Sequence, residues 1–124
     1  GNLDSAVTVS QYNWYSPVRA RKIGQNGLLE PFIPFNNYPS DIIINCDRNT
    51  QGDVYFADMS HSFCRSSTLG DIDNGLLPQR WMGQNIIPVH NSFGCDIDEP
   101  WQVHASIHWL LEKGFTEYKT PYED

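Results

Sequence analysis

The sequence predicts an α/β fold, a small mixed sheet with too few helices to cover it, and three observations carry that prediction. Short β-branched or apolar runs recur from Ser5 to Val89, separated by Gly, Pro, Asn and Asp. One amphipathic helix is written near the C-terminus, after the last of these runs. The composition, 40% apolar and 13% aromatic over 124 residues, is that of a folded chain of one domain or part of one. Strands followed by a strand that leads into an amphipathic helix belong to layered α/β and α+β architectures.

Ser5-Ala6-Val7-Thr8-Val9-Ser10 reads as an interior strand, because both of its faces are small or apolar. Val18 to Ile23 alternates in residue type, and Gln25-Asn26-Gly27 supplies turn residues before Leu28-Leu29-Glu30, which predicts a β-hairpin around Asn26-Gly27. Four prolines from Pro17 to Pro39 make the surrounding stretch an excursion from the core. Ile42-Ile43-Ile44 and Gly52 to Ala57 are strand candidates, Met59 to Arg65 a short helix, and Ser66 to Pro78 a loop. Ile86-Ile87-Pro88-Val89 is a further strand, and its proline argues against a central place. The helix is expected from about Glu99 to Lys113. Asp98 is its candidate N-cap, Val103, Ile107, Leu110 and Leu111 form its apolar stripe, and Gly114 stops it.

Fifteen acidic residues against eight basic ones give a net charge of −7, which repels polyanions and excludes non-specific nucleic-acid binding. No apolar run approaches the roughly 20 residues that span a bilayer, and the N-terminus lacks the pattern of a signal peptide, so a cytoplasmic protein without a membrane partner is expected. Cys46, Cys64 and Cys95 are odd in number and far apart, which suggests free thiols and not a disulfide framework or a thiolate zinc site.

The chemistry-bearing pattern is Asp96-Ile97-Asp98, at the expected handover from strand to helix. In extended backbone the two carboxylates project to one face while Ile97 turns to the core, giving two hard oxygen donors suited to Mg²⁺. Open α/β sheets place ligands at such carboxyl ends of strands. The same residues also fit a plain alternative, with Asp98 capping the helix and Asp96 solvated. Arg19, Arg21 and Lys22 gather three of the eight cations within four positions. On a strand, Arg19 and Arg21 would share a face, either as an anion site or as a solvated hairpin edge. His104 and His108 lie one helical turn apart, without the glutamate of a zinc hydrolase between them. Trp14, Tyr15, Trp81 and Trp101 are read as core or subunit contacts.

Taken in order, Ser5 to Val9, Ser16 to Ile23 with the following Asn-Gly turn, Gly52 to Phe56, Ile86 to Val89, and Asp96-Ile97-Asp98-Glu99-Pro100 resemble the C-terminal half of the CMP-sugar cytidylyltransferases, the acylneuraminate, pseudaminate and legionaminate synthetases. The resemblance spans Leu3 to Lys113. It implies a truncated nucleotide-diphospho-sugar-transferase-like, Rossmann-like mixed sheet in one domain over residues 1–124, with a dimerisation-type arm over residues 11–40. It implies an enzyme that joins CTP to a nonulosonic, sialic-acid-like sugar acid. In that reading Asp96 and Asp98 are catalytic and hold Mg²⁺. Arg19, and with it Arg21, binds the sugar carboxylate, for which a guanidinium is suited. Asn36-Asn37, Gln51-Gly52-Asp53 and the longer segment Ser40 to Thr50 depart from the family pattern.

The family's Gly- and basic-rich CTP-phosphate loop has no counterpart here: Gly24 and Gly27 fall in a hairpin with no helix after it. Turnover therefore requires that half from elsewhere, for instance a separate chain. An uncovered sheet edge and face would also favour a homodimer or higher oligomer. The alternative expectation is a non-catalytic oligomeric binding or scaffold protein derived from the same fold.

Overall fold

The structure, a computed structural model, describes residues 2 to 122. Its first strand, Ser5–Gln11 (β1), is the central one of a three-stranded sheet. Small residues on both faces of β1 let a neighbour approach from either side. Arg21–Ile23 (β2) and Leu29–Pro31 (β3) form a separate two-stranded hairpin. Its turn is the expected Asn26-Gly27: Gly27 sits at φ +77°, and Asn26 Oδ1 accepts from the Leu28 N–H at 3.0 Å. Arg19 closes the 3₁₀ turn Pro17–Arg19 instead of joining β2, so it does not share a strand face with Arg21.

Tyr55–Cys64 (β4) lies antiparallel to β1, and Ile86–His90 (β5) lies parallel to it on the other side, giving the order β4-β1-β5. Pro88 is thus on an edge strand, as its missing N–H requires. β4 absorbs Met59 to Cys64, where a short helix was expected. The misleading feature is a bulge. Val7 faces Ser62 and Val9 faces Ala57, so the four residues Asp58 to His61 stand against Thr8 alone. Met59 takes up the extra length in the left-handed region at φ 60°. The Thr8 hydroxyl fills the interrupted ladder, accepting from the His61 N–H at 3.0 Å and donating to Asp58 Oδ1 at 2.6 Å.

Ile42 to Ile44 forms no strand: no neighbour pairs with it, and side-chain turns at Asn45 and Asp47 curl the chain that follows. Ser66–Gly70 (α1) is a single short helix in the segment expected to be loop. The main helix, Pro100–Glu112 (α2), begins one residue later than expected, with its cap at Glu99 instead of Asp98. Glu99 is the N-cap, in a capping box with Gln102, whose Oε1 accepts from the N–H groups of Asp98 and Glu99 at 2.7 and 2.6 Å. Its C-terminus is a Schellman turn. Phe115 N–H reaches Leu110 O, Gly114 N–H reaches Leu111 O, and Gly114 stands at φ +87°. Gly114→Ala is expected to lower stability by about 1 kcal/mol through that left-handed position, seen as a lower urea midpoint at unchanged slope.

Among the described residues the buried apolar side chains are few: Val7, Val18 and Met82. Large apolar side chains lie in the open instead. Ala6 pairs with Phe63 on one side and Ile87 on the other, so these share a sheet face, and Phe63 is 70% exposed. The stripe Val103, Ile107, Leu110 and Leu111 on α2 is exposed as well. Among the described residues no helix is long and apolar enough to cross a membrane.

Candidate functional site

β1 and β5 run in parallel, so their carboxyl ends open at the same edge of the sheet. There the chain leaves β1 through Tyr12 and the 3₁₀ turn Asn13–Tyr15, and leaves β5 through an irregular loop, Asn91 to Asp98, that feeds α2. Between them lies a groove of about 660 Å³. One wall is Tyr12, Trp14 and Tyr15, joined by edge-to-face contacts that reach Phe56 of β4. The other is Phe93 to Asp96 and Asp98, with Trp101 and Gln102 of α2. Phe93 stacks on Trp109 at 5.2 Å, tying the loop to the helix.

Asp96 and Asp98 both line this groove, and both are exposed. They lie in the loop and not on the strand, and Ile97 is 53% exposed instead of entering the core. Because Glu99 caps the helix, the Asp98 carboxylate is not spent there: among the described residues no donor is bonded to either carboxylate. Arg19 and Arg21 do not line the groove. Both are exposed, and the Arg21 guanidinium donates to Val18 O and Ala20 O at 2.9 and 3.0 Å and sits 5.5 Å over the Phe35 ring. The groove lining contains no Arg, Lys or His among the described residues. Trp14, Tyr15 and Trp101, expected as core or subunit contacts, are not in the core of this chain: they are 52%, 55% and 60% exposed on the groove walls.

The floor holds a carboxylate that sequence reasoning missed. Asp58, in the bulge of β4, is buried. Its Oδ1 accepts from Thr8 Oγ1 and the Ser60 N–H, and its Oδ2 from Ser10 Oγ at 2.7 Å and Asn91 Nδ2 at 3.2 Å. Burial alone would push its pKa up. The hydrogen bonds from Thr8, Ser10 and Ser60 outweigh that and hold it at about 2. The available signal was an aspartate inside an aromatic, strand-like run, a place where Asp is depleted. Burial raises the Tyr12 hydroxyl above its ordinary value, helped by the nearby Cys95 thiol.

All three cysteines are free thiols, Cys95 at the groove wall. His108 faces Glu112 at 3.4 Å on the exposed side of α2, and no group of three or more His, Cys, Asp or Glu among the described residues is arranged to hold a metal. A second, polar pocket of about 400 Å³ lies at the other end of β1, around Asp4, Thr68, Asn74 and Gln84, and has no aromatic wall. The chain matches no family model, no curated protein and no solved structure.

Proposed function

We propose that this chain is the sugar- and metal-facing portion of a CMP-nonulosonate-type cytidylyltransferase, with a Rossmann-like sheet and CTP bound by a polypeptide segment other than these residues. One observation carries the reading: Asp96 and Asp98 stand together on an aromatic groove at the carboxyl ends of two parallel strands, where open α/β sheets bind ligands. The two carboxylates fit Mg²⁺. That ion takes one or two protein carboxylates and completes its shell with water and substrate oxygens, so a set of three protein ligands is not required. When bound, Mg²⁺ would neutralise charge on phosphate and carboxylate oxygens.

The chain's own residues then have separable tasks. Trp14, Tyr15 and Trp101 offer flat apolar faces to a sugar ring and its acyl groups and exclude water from one side of it. Asp96 and Asp98 bind the cation and orient what it carries. Arg19 and Arg21, away from the groove of their own chain, serve as sugar-carboxylate ligands only in a homo-oligomer that brings one chain's arm to another's groove.

A second reading, a non-catalytic oligomeric binding protein of the same ancestry, is favoured by the absence of any cation from the groove lining among the described residues. Calorimetric titration separates the two. Mg²⁺ with a nonulosonic acid is expected to bind, Mg²⁺ with CTP is not, and no pyrophosphate is released by the chain alone. Asp96→Ala should abolish Mg²⁺ binding with α2 intact by circular dichroism, since the cap belongs to Glu99. Failure of the wild-type chain to bind either ligand would favour the scaffold reading, and pyrophosphate release would show that CTP is bound within this chain.

A further inference from the structure

We propose that Asp58, acting with Tyr12, is a positioning residue: together they grip Gly94 and so fix the loop that carries Asp96 and Asp98 to the groove. This deepens the reading above and rests on it.

A carboxylate offers about four lone-pair sites, and Asp58 has four donors on them: the Thr8 and Ser10 hydroxyls, the Ser60 N–H and the Asn91 amide. Nothing is left over for a metal or a ligand, so the role of Asp58 is not to bind one. The donors come from β1, from β4 and from the first residue after β5, so all three strands determine where the carboxylate stands.

Gly94 is buried directly against it. A Cβ at Gly94 would overlap the Asp58 carboxyl carbon, so the loop backbone rests on the carboxylate with no side chain between them. The Gly94 carbonyl accepts a hydrogen bond from the Tyr12 hydroxyl. Asp96 follows two residues later, in irregular backbone. The next anchor is Gln102, whose Oε1 holds the Asp98 and Glu99 N–H groups. Both groove carboxylates therefore hang on a short span pinned at Gly94 and at the start of α2. A shift at Gly94 moves them relative to each other and to the aromatic walls.

The test uses the full chain, Mn²⁺ in place of Mg²⁺, and amide resonances as the readout. Asp58→Asn keeps the shape but turns one oxygen into an NH₂ group facing two donors. It is expected to weaken Mn²⁺ binding about tenfold, in line with the cost of losing groups that orient metal ligands. Hydrogen exchange at the Asp98 and Glu99 amides, which donate to Gln102 Oε1, should rise about tenfold more than at the β1 and β5 amides, whereas a purely global loss of stability would speed all of them by the same factor. Tyr12→Phe removes only the hydroxyl and retains the ring. It is expected to give the same local pattern at smaller amplitude, and it decides the matter if Asp58→Asn does not fold. Unchanged Mn²⁺ affinity together with exchange at Asp98 and Glu99 that rises no more than at the β1 and β5 amides in a folded variant overturns the proposal. If the wild-type chain binds no Mn²⁺, the metal reading of Asp96 and Asp98 falls, and the exchange comparison alone judges the grip on Gly94.

Discussion

Sedimentation equilibrium at micromolar concentration is expected to return a particle of at least two chains. The chain exposes 9655 Å², while a compact monomer of its mass exposes about 6,800 Å². The excess, about 2,900 Å², is the size of a permanent interface and far above a lattice contact. Its chemistry agrees. Phe63 and Ile87 stand on an uncovered sheet face, the α2 stripe is open, and among the described residues only Val7, Val18 and Met82 are buried apolar side chains. So few fully buried apolar side chains in 124 residues leave the conformational entropy weakly opposed, which favours covering further apolar surface. Ile87→Lys places a charge in the middle of the open face. If that face is the contact, the variant should shift the equilibrium towards single chains, with a lower and concentration-independent melting temperature. A wild-type chain that stays monomeric and folded at micromolar concentration would remove the homo-oligomer from the reading.

The same surface explains which parts of the molecule were legible in its sequence. Local chemistry was readable. Asn26-Gly27 specifies a hairpin turn by itself, Gly114 a helix stop, and Pro88 an edge strand, because each depends on backbone freedom within a few residues. The place of Asp96 and Asp98 was readable for a similar reason, since they follow β5 and chain order alone puts them near the strand's carboxyl end. What depends on pairing was not readable. Met59 to Cys64 is a strand because β1 lies beside it, and its bulge destroys the alternation that would have advertised it. Ile42 to Ile44 has the residue types of a strand but no partner. The helix cap moved by one residue, from Asp98 to Glu99, because Gln102 completes a capping box only with Glu99. That small shift releases the Asp98 carboxylate for the groove. Asp58 was hidden by the same bulge that turns it inward, and its importance lies in partners 33 to 50 positions away.

Loss of stability in acid is expected to run through that carboxylate. The Asp58 carboxyl is held at about 2 in the folded chain against 3.8 ordinarily. Its contribution is therefore complete above about pH 4, shrinks as the unfolded chain begins to take up a proton that the folded chain refuses, and is gone once pH falls through about 2. The magnitude is about 2 kcal/mol, a large share of a marginal stability. Asp4 adds to the loss in the same direction, because the N–H groups of Asn85 and Gln84 hold its carboxyl below the ordinary value. Urea unfolding followed from pH 5 down to about pH 2 should show stability falling through this window. In Asp58→Asn the group that titrates is absent. The variant is expected to be about 3 kcal/mol less stable than the parent at neutral pH, because its NH₂ group faces two buried donors. It should have a shallower dependence between pH 4 and 2 and come within about 1 kcal/mol of the parent at the acid end. Parallel curves for the two proteins would mean that another carboxylate carries the acid sensitivity and that the four bonds to Asp58 contribute little. Convergence would place the protonation event at the floor of the groove, where strands β1, β4 and β5 meet around one charge.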